Sequence, residues 1–231
     1  MLKEVLSKFK KQSMTSIPTT KYCKICCKEF KIDDVCRLFD KDICVCPACQ
    51  TTLDPQFIHF RVNGYKALSI YEYTDYIKNQ IYLYKGCFDY ELNETFLNLF
   101  VKEIRIRFSG YKIIPIPSYF EDDNKRGFNH VVEAFKKLGL EMLPIIEKTA
   151  HHKQSDRTAK ERQEINKYLA LKEQIDLRKT KVLLVDDIYT TGSTMKAAIN
   201  LVEKLNPKDI KVLVLAKTSS KPYEKANTNN F

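Results

Sequence analysis

The spacing of apolar positions divides the chain into two halves of different character. From residue 111 onward it alternates strand and helix. YKIIPIPS (111–118) reads as a strand ending in prolines, Asn129 to Leu138 as a helix closed by Gly139, and MLPIIEKT (142–149) as a second short strand. TKVLLVDD, Thr180 to Asp187, is a continuous apolar strand that stops on two acids. Met195, Ala198, Ile199, Val202 and Leu205 then form a helical stripe ended by Asn206-Pro207, and IKVLVLAKT (210–218) is another buried strand. Strands apolar on both faces and separated by helices predict an α/β fold, a parallel sheet with helices on both faces.

The first half is less regular. After the turn signal Asn63-Gly64, YKALSIYEYT (65–74) reads as a strand. Tyr76, Ile77, Gln80, Ile81 and Tyr84 recur at helical spacing, as do Leu92, Phe96, Leu99, Phe100 and Ile104, which predicts helices over 75–84 and 91–107. Residues 1–22 read as a short basic helix and a polar linker, SMTSIPTT, where Pro18 and the Ser/Thr run discourage regular structure. The last dozen residues read as a frayed polar tail. The expected division is a basic tail and linker (1–22), a small cysteine-rich module (23–58) and an α/β domain (59–231).

Bulk properties narrow the class without settling it. A chain of 231 residues suits one α/β core plus a small appendage. No apolar run approaches the roughly 20 residues that span a bilayer. The amino end is basic, without a continuous apolar stretch or a small-residue cleavage motif, so a cytoplasmic protein is expected. The net charge of +10 points to polyanionic partners, either nucleic acid or phosphorylated small molecules. Lysines supply most of it, and a lysine-heavy surface also arises from compositional bias alone.

Seven of the eight cysteines fall between Cys23 and Cys49. Without an export signal, such clustering favours a metal over disulfides. Cys23-x-x-Cys26 and Cys46-x-x-Cys49 are two knuckles with 19 residues between them. Each places two thiolates on one side of a tight turn, and two knuckles close a tetrahedral site. Four thiolates suit a structural zinc ion with no open position. Cys27, Cys36 and Cys44 are spare, and Cys44 is an alternative to Cys46.

The sharpest chemical signal is VLLVDDIYTTGSTM (182–195). In an open parallel sheet, ligands bind at the carboxyl ends of strands, where a loop meets a helix amino end. The strand delivers Asp186 and Asp187 to that edge, and Thr190, Thr191, Gly192, Ser193 and Thr194 follow just before the helix. Gly192 permits close backbone approach, and amides and hydroxyls at a helix start form an anion site. The acids repel phosphate and suit hydroxyls beside it, or a divalent cation. A ribose 5-phosphate satisfies both halves.

This motif resembles the signature by which type I phosphoribosyltransferases bind 5-phosphoribosyl-1-pyrophosphate (PRPP). The resemblance implies that Asp186 and Asp187 are the catalytic, diol-binding acids, that Thr190, Thr191, Gly192, Ser193 and Thr194 hold the 5-phosphate, and that Mg²⁺ accompanies PRPP. IPIPSYFEDDNKRGFNHV (114–131) is similar to the pyrophosphate-side loop of the ComF family of competence proteins, which implies that Lys125, Arg126 and Gly127 face the pyrophosphate. His130 stands where that family usually has Gln and receives no role. KTAHHKQSDRTAKERQEIN (148–166) resembles the ComF version of a flexible hood, with Gln154, Ser155, Arg162 and Asn166 at matching places, and departs from it at Arg157. A short zinc module ahead of such a domain is also the ComF arrangement. The resemblance implies a role in natural transformation, with single-stranded DNA and an ATP-driven DNA translocase as partners. The competing expectation is a phosphoribosyltransferase of nucleotide or related metabolism.

Overall fold

The computed structural model describes residues 19–32, 43–149 and 169–219. Its centre is a five-stranded sheet in the order β3-β4-β9-β8-β5, built from β3 (Ile58–Val62), β4 (Tyr65–Glu72), β5 (Tyr111–Pro115), β8 (Lys181–Tyr189) and β9 (Asp209–Lys217). β4, β9, β8 and β5 are mutually parallel, as the continuous apolar runs predict. The sheet is nevertheless mixed, because β3 pairs antiparallel to β4. The cause is local. Asn63 and Gly64 both have positive φ (48° and 82°), the backbone of a two-residue hairpin turn, so the turn signal returns the chain directly onto its neighbour.

The two sheet faces carry separate cores. One buries Leu68, Ile70, Ile113, Leu183, Val185, Leu213 and Leu215 under helices α2 (Asp75–Gly86), α3 (Val101–Arg107) and α5 (His130–Lys136). The other buries Ala67, Ile114, Val182, Leu184, Val212 and Val214 under α6 (Ser193–Glu203), whose stripe of Met195, Ala198, Ile199 and Val202 faces the strands. Helices on both faces follow from strands that are apolar on both sides.

α2 starts where Thr74 accepts from the Ile77 amide (3.3 Å), with Asp75 in its first turn and Lys85 in its last. The single helix expected over 91–107 does not form. Two 3₁₀ turns, Tyr90–Glu94 and Asn98–Phe100, precede α3. Asn93 Nδ2 donates to the Tyr90 carbonyl and the Thr95 hydroxyl to the Leu92 carbonyl (2.8 Å), so side chains take carbonyls a continuous α-helix would use.

Three further elements lie in the stretch read as linker and cysteine module. β1 (Thr19–Tyr22) and β2 (Glu29–Ile32) form an antiparallel hairpin, and α1 (Pro47–Leu53) begins with proline at its first position. Thr19 to Tyr22 are therefore strand, where the polar linker pattern predicted irregular chain. Cys23, Cys44, Cys46, Cys49 and Leu53 pack into the same cluster as Tyr71, Tyr84 and Phe96. The cysteine segment thus shares a core with the sheet. α4 (Phe120–Arg126) and the short antiparallel pair β6 (Ile146–Lys148) and β7 (Leu169–Leu171) complete the described elements.

Candidate functional site

The carboxyl ends of β5 and β8 open into a cleft of about 550 Å³, lined among others by Asp186, Asp187, Thr190 and Thr194. β8 runs two residues past the apolar stretch, to Tyr189, and hands the chain to α6 through Gly192. Gly192 is left-handed (φ 74°, ψ 8°), and a Cβ there would collide with the Tyr189 ring and hydroxyl. Any other residue would be strained at this φ and would have to displace the Tyr189 ring. Thr191 and Ser193 hydroxyls lie 3.0 Å apart, and the Gly192 carbonyl accepts the Lys196 amide (2.8 Å) to start the helix. Thr190 and Thr194 reach the cleft, whereas Thr191, Gly192 and Ser193 shape the turn beside it.

The two acids differ in kind. Asp187 is buried, and its Oδ2 accepts from Lys85 Nζ (2.6 Å) and from His130 Nε2 (3.2 Å). Burial alone would raise its pKa, but the His130 hydrogen bond and the Lys85 charge overcome it and hold the carboxyl well below the usual range. Asp186 has no such partner. Burial, and then the adjacent Asp187 charge, push its pKa well above the ordinary carboxylate value. Its Oδ1 accepts only the Asp187 amide (2.9 Å) in the described hydrogen bonds.

This asymmetry sets a sign. The folded chain binds the Asp186 proton more tightly than the unfolded chain. Stability therefore falls as pH rises from the ordinary carboxylate range up through the folded value. Asp186→Asn keeps the acceptor for the Asp187 amide and removes the half-buried charge. It is expected to raise the Tm at neutral pH by roughly 2–4 °C, about 1 kcal/mol for a chain of this size. The gain should vanish below about pH 4, where Asp186 is protonated in both states. Thermal melts of both proteins across that range check it. A Tm gain that persists in acid would contradict the assignment.

Arg126 lines the cleft, but its guanidinium is held inward. Nε donates to the Lys85 carbonyl (2.8 Å), and Nη1 reaches Asp123 Oδ1 (2.9 Å) and His130 Nδ1 (3.1 Å). Because Arg126 has only N–H to offer, His130 Nδ1 accepts, and its Nε2 carries the proton given to Asp187. Gly127 caps α4 in the left-handed conformation (φ 82°) and its amide returns to the Asp123 carbonyl (2.7 Å). Lys125 is exposed on the last turn of α4 and does not line the cleft. Asn129 caps α5 through the Val132 amide (2.9 Å) and also donates to Asp123 Oδ2 (2.7 Å).

Lys85, His130 and Lys148 are residues that sequence spacing did not find. Lys85 lies on a helix far away in sequence, and nothing local marks it. His130 links Arg126 to Asp187. Lys148, at the end of β6, lines the cleft with its Nζ 4.4 Å from the Tyr119 ring centre. Burial lowers its pKa, against the raising influence of Asp186, Asp187 and Asp122. No described carboxylate forms an ion pair with it. Gln154, Ser155, Arg157, Arg162 and Asn166, the positions expected to form a hood, lie outside the described residues, between β6 and β7 in the chain.

The second site is the cysteine cluster. The Sγ atoms of Cys23, Cys26, Cys46 and Cys49 all lie within 4.8 Å of one another, and Cys26 and Cys46 are 3.8 Å apart. A tetrahedral site with metal–sulfur bonds of about 2.3 Å needs sulfurs about 3.8 Å apart, so the set fits a four-thiolate ion. Burial raises the Cys23 thiol, but amides of Cys46, Cys26 and Ile25 outweigh it and bring it down to about 7. Cys44 stays outside the set. Burial pushes its thiol up to about 11, and its amide donates to Asn98 Oδ1 (3.3 Å). The fold thus groups Cys46, and not Cys44, with Cys23, Cys26 and Cys49.

A phosphoribosyltransferase-like fold is defined by this sheet, the acid pair at the end of β8 and the glycine turn into α6, and the sequence profile of the family described as "Phosphoribosyl transferase domain" matches residues 124–229. The chain is, further, similar to the competence protein ComFC of Streptococcus pneumoniae, with 29% identity over 154 residues that cover 67% of this chain and 69% of that protein. Solved structures similar to it include a hypoxanthine phosphoribosyltransferase from Staphylococcus aureus (12% identity, 54% of this chain and 62% of that one, TM-score 0.36). Another is a purine phosphoribosyltransferase from Pyrococcus horikoshii (21% identity, 57% and 78%, TM-score 0.34). Both TM-scores are below 0.5, so the domain match and the strand order define the class. Among the described residues, no helix is long and apolar enough to cross a membrane.

Proposed function

We propose that this chain is a cytoplasmic, competence-associated protein that binds PRPP with Mg²⁺ in the β5–β8 cleft and takes part in handling incoming single-stranded DNA. The observation that carries the first half is convergence. Asp186, Asp187, Thr190 and Thr194 from one strand–loop–helix unit share a cleft with Lys85, Lys148 and Arg126 from three other elements. The acids suit the ribose hydroxyls, the Thr190–Thr194 turn suits the 5-phosphate, and Lys148, the lining cation without an ion pair among the described residues, suits the pyrophosphate. Asp187, held in place by Lys85 and His130, serves as a fixed acceptor; Asp186 is the acid without a counter-ion and suits either a hydroxyl or the Mg²⁺ that PRPP carries. Loss of pyrophosphate would leave an electron-poor ribosyl carbon for an acceptor to capture. Domains of this kind serve both as transferases and as PRPP-responsive binders.

The cysteine set is proposed to hold structural Zn²⁺ through Cys23, Cys26, Cys46 and Cys49. Support for the second half is the relative named a competence protein, together with the net charge of +10. An ATP-driven DNA translocase is the matching protein partner. The domain match equally favours a phosphoribosyltransferase of nucleotide or related metabolism.

Calorimetric titration of PRPP with Mg²⁺ into zinc-loaded protein tests the reading. Saturable binding of one PRPP per chain is expected, with inorganic pyrophosphate and ribose 5-phosphate each competing more weakly. A folded, metal-loaded protein that gives no heat and no competition removes the PRPP reading.

A further inference from the structure

At the opposite end of the sheet from the PRPP cleft, strand register brings cations together. Arg61 on β3 pairs with Lys66 on β4, and Lys66 pairs with Lys211 on β9. Directly paired residues point to one face, so three positive side chains stand in a row across three neighbouring strands. Like charges placed opposite one another in a sheet are destabilising. α3 adds a fourth from above, because Arg107 ends that helix and its Nη2 lies 3.3 Å from His59 Nε2 on β3.

These five side chains line one cavity of about 530 Å³, and no acidic residue lines it. No ion pair among the described residues engages Arg61, Lys66, Arg107 or Lys211. Asp209, two residues before Lys211 on the same strand, instead accepts from the Tyr111 hydroxyl. Lys211 rests over aromatic faces, 4.7 Å from the centre of Tyr111 and 6.0 Å from that of Phe108. Arg61, Lys66, Arg107 and His59 are exposed. A row of unneutralised cations around a concave wall costs stability unless an anion occupies it.

We infer that this cleft is a binding surface for the phosphate backbone of single-stranded nucleic acid, separate from the PRPP cleft. The inference rests on the DNA half of the function proposed above and assigns it a location. Spacing supports a strand over a lone phosphate. The cations span three strands of the sheet, about 10 Å at the usual separation between neighbours, and so reach more than one backbone phosphate. Because the surface sits at the amino ends of β4 and β9 and the PRPP cleft at the carboxyl ends of β5 and β8, both ligands can be held together.

The test is fluorescence anisotropy with a labelled oligothymidylate over a salt series, using the full metal-loaded chain. Lys66→Glu/Arg107→Glu is compared with Lys172→Glu/Lys204→Glu, which makes the same change in net charge at exposed lysines elsewhere. The first variant is expected to bind at least about tenfold more weakly. Its log K against log salt slope should be shallower by about 0.7 for each backbone phosphate that the protein no longer neutralises. PRPP titration then shows whether the variant's other cleft is intact, and saturating PRPP should leave wild-type DNA affinity unchanged. Equal weakening in both variants, or mutual exclusion of PRPP and DNA, would overturn the assignment. If wild type binds no oligonucleotide at all, the DNA half of the function fails with it; if it binds and Lys66→Glu/Arg107→Glu binds equally well, only this surface does.

Discussion

Gly192→Val is expected to weaken PRPP binding by about 100-fold or more while leaving the protein folded. The turn holds Gly192 at φ 74°, where a β-branched residue is strained by roughly 1–2 kcal/mol. The added side chain would also meet the Tyr189 ring. The ring can swing away, but the backbone strain at positive φ is relieved only by a shift of the turn between Tyr189 and Ser193, which positions the hydroxyls and amides proposed for the 5-phosphate. A displacement costing about 2.7 kcal/mol of binding is a factor of 100. Strands β8 and β9 pair along their whole length below the turn, so the core does not depend on it. Calorimetry with PRPP and Mg²⁺, beside a circular dichroism melt, is the measurement. Asp186→Asn gives an independent comparison. It should lose about 10–100-fold in affinity, the usual worth of a hydrogen bond to a charged group, yet melt higher than wild type. Opposite signs for binding and stability would mark Asp186 as a half-buried charge kept for a ligand. PRPP binding unchanged in Gly192→Val would remove the phosphate role from the Thr190–Thr194 turn.

The second large effect concerns the cysteines. Cys46→Ser is expected to release the metal and lower the Tm by on the order of 10 °C, the equivalent of about 3 kcal/mol or more in a chain of this length. The loss is not confined to an appendage, because Cys23, Cys46, Cys49 and Leu53 share a core with Tyr71, Tyr84 and Phe96. Cys44→Ala should retain one zinc per chain, since Cys44 lies outside the four-sulfur set. Metal content by plasma emission spectroscopy and melts of both variants check this. Zinc lost from Cys44→Ala and kept in Cys46→Ser would reverse the ligand assignment.

Features set by neighbours in the chain were readable without coordinates. A two-residue spacing between cysteines, a left-handed turn that favours glycine, and a strand apolar on both faces each leave a pattern a few residues long. Hence the parallel core, the acid pair, the turn into α6 and the two cysteine knuckles were all visible. The helix expected over 91–107 failed for a reason of the same range, since Asn93 and Thr95 compete for backbone carbonyls and apolar spacing takes no account of that. The hairpin at Asn63-Gly64 shows a further limit. Its turn was plain, but the five-residue β3 has Arg61 and His59 on one face and gave too weak an apolar signal to be read as a strand.

By itself, then, the sequence determined the fold class, the glycine turn between β8 and α6 and the pairing of the cysteines in two knuckles. Tertiary structure alone decided which charges stand beside them. Lys85 reaches Asp187 across 102 positions of the chain, His130 ties Arg126 to the same carboxylate, and strand register aligns Arg61, Lys66 and Lys211. The physical reason is that backbone geometry repeats within a few residues and so leaves a local pattern. A carboxylate's charge state and a cavity's potential are instead set by whatever packing brings within a few ångströms, from any distance along the chain.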